Sequence, residues 1–148
     1  MSSPNFDQYD EEVARGMARV HGEATGLPGY LDIAVTDYGP GMLVAKVPVR
    51  TELLNPFGTL HGGVLAAFVD HMLGTVCYPV MRRGQWAATA EFKINYLAPV
   101  DRGDLVATST IISLTKRTAV VRIDITNGSR LVCAAQGTVL IVDPKPKS

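Results

Sequence analysis

The stretch Asn55-Pro56-Phe57-Gly58-Thr59-Leu60-His61-Gly62-Gly63, followed directly by Val64-Leu65-Ala66-Ala67-Phe68-Val69-Asp70-His71-Met72-Leu73-Gly74, organises the whole chain. A polar, glycine-bearing loop opens into a long apolar run, the pattern of a helix entering a core. The apolar part, residues 64–81, is about the minimum length for a membrane span. Asp70 and His71 in its middle and Pro79 near its end argue instead for a buried helix in a soluble core. Gly62 and Gly63 leave first-turn N–H groups uncovered, and such a helix start is by default a site for an anion or a developing oxyanion. Close packing against a neighbour is the other use of two glycines there.

On the N-terminal side, Tyr9, Val13, Met17 and Val20 recur at helical spacing and predict a first helix over 9–23. Gly22 and Gly26, then Pro28 and Gly29, are read as its end. Leu31, Ile33 and Val35 alternate with smaller or polar residues, and Gly39-Pro40-Gly41 turns the chain into a second alternating run, 42–49. Beyond the central helix come four strand-like runs at 86–98, 104–115, 118–126 and 130–142. The third is the most regular, with Ala119, Val121, Ile123 and Ile125 on one face. Asn127-Gly128 predicts a hairpin closed by a type I′ turn. The tail 143–148 alternates Pro and Lys and is expected to be a loose end. These elements predict an α+β domain over 29–142, an antiparallel sheet of about six strands with one long helix on its apolar face, preceded by a helical extension over 1–28.

Composition narrows the function. The 148 residues are 47 % hydrophobic and 19 % charged, which excludes a disordered chain. Fourteen Lys and Arg balance fourteen Asp and Glu, so no basic field exists to hold nucleic acid. Cys77 and Cys133 stand far apart in apolar surroundings and read as buried thiols rather than a disulfide or zinc pair. Three scattered histidines, among them His21 and His71, lack metal-ligand spacing, so no metal is expected. The N-terminus has no signal-peptide pattern, which predicts a cytoplasmic protein.

Asp70 is the unusual residue of the central run. Its helical neighbours at three, four and seven positions, Gly63, Ala66, Ala67, Gly74 and Cys77, are all small. Leu65, Phe68, Met72 and Val76 fall elsewhere around the helix. Small residues around one acid leave room for a ligand or another chain, and a hydrogen bond from Asp70 to a neighbouring subunit is the purely structural alternative. His71 points about 100° away from Asp70 on a helix and is not expected to pair with it catalytically.

Asn55, Gly58, His61-Gly62-Gly63 and Asp70, with Glu91-Phe92-Lys93-Ile94-Asn95-Tyr96-Leu97-Ala98-Pro99, resemble the hotdog-fold acyl-CoA thioesterases of the phenylacetic-acid-degradation and hydroxybenzoyl-CoA type. The resemblance implies that the sheet wraps around the central helix and that the Gly62 N–H holds the thioester oxyanion. Gly63 would contribute to substrate binding, Asn55 would help to hold the carbonyl, and His61 would order the loop. Asp70 would activate water or attack the carbonyl itself, with Thr89 positioning the water. Some relatives carry a threonine one turn after the acid; here that position is Gly74. The substrate would be an acyl-CoA, with no cofactor. Arg82-Arg83 and Lys116-Arg117 are the basic pairs that could meet its phosphates, and Phe57, Leu60, Leu65 or Phe68 could face the acyl group.

Gly62 and Asp70 lie eight residues apart, about 12 Å along one helix. A carbonyl held at Gly62 is therefore out of easy reach of Asp70 in the same chain. Two antiparallel helices from two subunits bring them together, which predicts a homodimer with shared sites, and a tetramer is compatible. A hydroxyacyl-thioester dehydratase and an acyl-CoA sensing module without turnover are the rival readings. The first needs a His and acid pair that is not evident, and the second has no need of Asp70.

Overall fold

The computed structural model describes residues 4–20 and 25–146. Helix α1, Glu11–Arg19, begins at Asp10, whose Oδ1 accepts the N–H groups of Glu12 and Val13 at 3.0 and 3.2 Å. It is shorter than the periodicity predicts, and Val20 lies beyond it and is exposed. His21 and Gly22 fall outside the described residues. Gly26, Pro28 and Gly29 do not simply terminate a helix: Gly26–Tyr30 forms a short second helix, α2. Pro28 is tolerated there because the N–H it lacks, in the first turn, has no intrahelical partner.

The sheet has six antiparallel strands: β1 Ala34–Gly39, β2 Met42–Pro48, β3 Trp86–Tyr96, β4 Asp104–Leu114, β5 Thr118–Asn127 and β6 Arg130–Val142, in the order β1-β2-β4-β5-β6-β3. The first strand starts at Ala34, so Leu31 and Ile33 are buried ahead of it rather than within it. Pro40-Gly41 makes the β1–β2 turn, with Gly41 at φ 70°. As predicted, Ala119, Val121, Ile123 and Ile125 share the buried face. The β5–β6 hairpin is tight but its register differs from the prediction. Asn127 pairs with Arg130, so the loop residues are Gly128-Ser129, and only Gly128 has positive φ, the signature of a type II′ turn. Asn127 instead donates from Nδ2 to the carbonyls of Arg102 and Asp104, both at 3.0 Å, and clamps the turn before β4.

Helix α3, Gly62–Thr75, packs across one face of the sheet and buries Leu65, Phe68, Val69, Met72 and Leu73. Each such side chain contributes about 1.5–3 kcal/mol. The helix stops earlier than the run 64–81 suggests, because Pro79 cannot continue it, and a 3-10 turn, Tyr78–Val80, follows. The segment Gly62–Val80 is long and apolar enough to cross a membrane, yet half of it is buried within the protein as the core helix. The first tail residue, Asp143, is tied in by Arg82 at 3.1 Å and Gln85 at 2.8 Å.

Strand β3 lies at one edge of the sheet and carries a bulge that matters for the site. Thr89 pairs with Val139 and Glu91 with Thr138, leaving Ala90 as an extra residue. Alternation alone would put Thr89 opposite to Phe92 and Ile94. The bulge resets the phase, so Ala87, Thr89, Phe92 and Ile94 all face α3.

Candidate active site

Two clefts open along α3, one at its start and one beyond its middle. The first, about 310 Å³, is lined by Gly62, Leu60, Leu65, Tyr96 and the 97–100 segment. His61 caps the helix: its Nδ1 accepts the Gly63 N–H at 2.9 Å, which leaves the neutral ring's proton on Nε2. Gly63, expected at the substrate, has its N–H engaged by the His61 ring. Among the described residues nothing accepts the Gly62 N–H, so the helix start keeps an unpartnered donor at that residue. Tyr96 packs on Gly62 and donates from its hydroxyl to the Gly62 carbonyl at 3.1 Å. A Cβ at residue 62 would come within 3.2 Å of the Tyr96 ring and would require that ring to give way by a few tenths of an ångström.

Asn55 does not line this cleft. Its Oδ1 accepts the N–H groups of Phe57 (2.9 Å) and Thr59 (3.2 Å), and its Nδ2 donates to Thr59 Oγ1 at 2.8 Å. In this chain it builds the loop, while His61 builds the helix start.

The second cleft, about 460 Å³, is lined by Asp70, His71, Gly74, Thr75, Tyr78, Ala87 and Thr89. Asp70 and Thr89, named together from sequence, thus meet in one cavity. Asp70 is exposed in the single chain, not buried as its apolar surroundings suggest, because Gly63, Ala66, Ala67 and Gly74 around it leave that face of α3 open. Cys77 departs from the set: it lies past the helix end, is fully buried, and burial pushes its thiol up to about 12. Cys133 is also buried and pushed up to about 11. Both thiols are free.

The thioesterase superfamily profile matches residues 57–134, more than half the chain and inclusive of both clefts. The chain belongs to the thioesterase superfamily. This thioesterase is 30 % identical to human acyl-coenzyme A thioesterase 13 over 125 residues, 84 % of this chain and 82 % of the relative. It is 27 % identical to the 1,4-dihydroxy-2-naphthoyl-CoA hydrolase of Listeria monocytogenes over 78 % of this chain and 95 % of that one. The PaaI protein of the E. coli phenylacetic acid degradation operon superposes with a TM-score of 0.79 at 24 % identity, over 90 % of this chain and 96 % of that one. The fold is the expected hotdog fold, and the thioesterase is a thioester hydrolase.

Of its predicted basic residues, Arg82 pairs with Asp143, and Arg83 pairs with Asp10 at 2.9 Å and Glu12 at 2.8 Å. Among the described residues the side chains of Lys116 and Arg117 form no ion pair. Arg82 and Lys116 both line a third cleft of about 740 Å³, closed on one side by the 5–8 segment. Of the four apolar candidates for the acyl group, Leu60 and Leu65 line the first cleft, Phe68 is fully buried under the helix, and Phe57 is 90 % exposed. Sequence reasoning set His71 aside and did not single out Thr75 or Tyr78, although all three line the Asp70 cleft. A helical spacing of four between His71 and Thr75 was the available signal.

Proposed function

We propose that the protein hydrolyses an acyl-CoA thioester to a carboxylate and free coenzyme A. The observation that carries this reading is the division of the site: a donor at Gly62 in one cleft, and an acid with a hydroxyl, Asp70 and Thr89, in another. The 12 Å spacing along α3 keeps the two halves apart in one chain, so we assign the working site to a homodimer with antiparallel α3 helices. Asp70 takes a proton from a water held by Thr89, and the water oxygen attacks the thioester carbon. The carbonyl oxygen becomes an oxyanion on the Gly62 N–H. Collapse breaks the C–S bond, coenzyme A leaves as the thiolate, and the proton passes on to it. No cofactor enters, because the thioester is already activated.

The likeness to acyl-coenzyme A thioesterase 13 supports coenzyme A as the carrier. For its phosphates we favour Lys116 and Arg117 over the ion-paired Arg82 and Arg83. Two buried unpaired thiols suit a reducing compartment such as the cytoplasm.

Thiol release from a panel of acyl-CoAs, compared for wild type and Asp70→Asn, tests the assignment. We expect the variant to lose a factor of at least about 100 with its oligomeric state intact. Equal rates in both proteins would make Asp70 structural.

A further inference from the structure

Phe57 is 90 % exposed, far more than other large apolar residues such as Tyr30 at 57 % and Tyr96 at 54 %. Its exposure does not come from a slack loop. Asn55 accepts the Phe57 and Thr59 N–H groups through Oδ1, donates to Thr59 Oγ1, and pairs its own N–H with the Thr59 carbonyl at 2.7 Å. Gly58 closes the turn with its N–H on the Asn55 carbonyl at 3.0 Å and a φ of 81°. A rigid loop therefore holds an aromatic ring in solvent, three residues ahead of the residue that starts the α3 cleft.

The Asp70 cleft has the complementary defect. Its lining is mostly polar, with Asp70, His71, Thr75 and Thr89 against only Ala87 and the Tyr78 ring, so within one chain it lacks an apolar wall for an acyl group. In the antiparallel pair proposed above, the loop that leads into one α3 faces the second half of the other, where this cleft opens. Resting on that reading, we infer that Phe57 supplies the missing wall of the Asp70 cleft in a second copy of the chain, and so selects which acyl groups the thioesterase takes. Asn55 is then a positioning residue acting through Phe57.

Two measurements test this. In the first, chains carrying Phe57→Cys and chains carrying Thr75→Cys are mixed and treated with a short bismaleimide; the native thiols are buried. A covalent pair containing one chain of each kind is expected, and its absence from a dimeric protein, or a monomeric protein, would overturn the inference. In the second, kcat/KM is measured from acetyl-CoA to decanoyl-CoA and phenylacetyl-CoA for wild type, Phe57→Ala and Phe57→Leu. The ratio between bulky and small acyl groups should shift at least about tenfold in the alanine variant and less in the leucine variant. A loss by the same factor for every acyl group would mean that Phe57 serves only the loop. The cross-link does not depend on turnover, so it separates failure here from failure of the hydrolase assignment, which Asp70→Asn tests.

Discussion

His71 sits beside Asp70 in the second cleft, half-buried, with Asp70 and Tyr78 as the titratable groups around it. Burial lowers its pKa from the ordinary 6.5, and the Asp70 charge offsets this only in part. A depressed histidine binds its proton later than the unfolded chain does as pH falls. Its contribution to stability is therefore present above about pH 6.5 and is lost on acidification through the folded-state pKa. We expect the melting temperature to drop between pH 7.5 and pH 5.5, and His71→Gln to flatten part of that slope. Parallel pH curves for the two proteins would show that His71 is not the group responsible. The residue was passed over in the sequence because a 100° step separates it from Asp70. The cleft is wide enough to hold both directions, which only the packing of α3 against β3 reveals.

At the scale of elements, the seat of α3 on the sheet depends on Gly137 of β6. A Cβ there would lie 2.5 Å from the Glu91 carbonyl oxygen, 2.6 Å from Phe92 Cβ and 3.1 Å from Leu73 Cδ1. The first two atoms belong to β3 next to its bulge and cannot rotate away. Gly137→Ala should therefore destabilise the fold by about 1–3 kcal/mol, read as a lower midpoint in denaturant. Because the strain falls next to Ala90, it should also disturb Thr89, and an unchanged midpoint would show that β3 and α3 can slide apart at no cost. Most elements were legible from periodicity: the four strands after the helix agree with prediction within about two residues. The two failures have different causes, one local and one tertiary. Pro79 cut α3 short, and Asn127 was drawn out of the turn by two carbonyls it could reach only in the folded sheet.

For the whole molecule, the proposed division of the site between chains makes a stoichiometric prediction. A chain with Asp70→Asn keeps its Gly62, and a chain with Gly62→Val keeps its Asp70. Each is expected to be inactive alone. Mixed and reassociated, half the dimers are hybrids with one intact site, so about a quarter of the wild-type rate should return. No recovery in demonstrated hybrids would mean that each chain uses its own Gly62 and Asp70.

The sequence by itself determined the order of elements, the core face of the strands, and the pairing of a glycine helix start with an acid nine residues after His61. Those features follow from periodicity and residue chemistry, which act locally. It also carried the resemblance that named Thr89. Tertiary structure decided that His61 takes the N–H of Gly63, while among the described residues that of Gly62 has no acceptor. It decided that Arg82 and Arg83 form ion pairs with Asp143, Asp10 and Glu12. It also decided, through one extra residue at Ala90, that Thr89 faces Asp70. The first is a cap between near neighbours whose geometry only the folded loop fixes, the second depends on partners distant in the chain and the third on a shift in strand phase, and a hydropathy pattern records none of them.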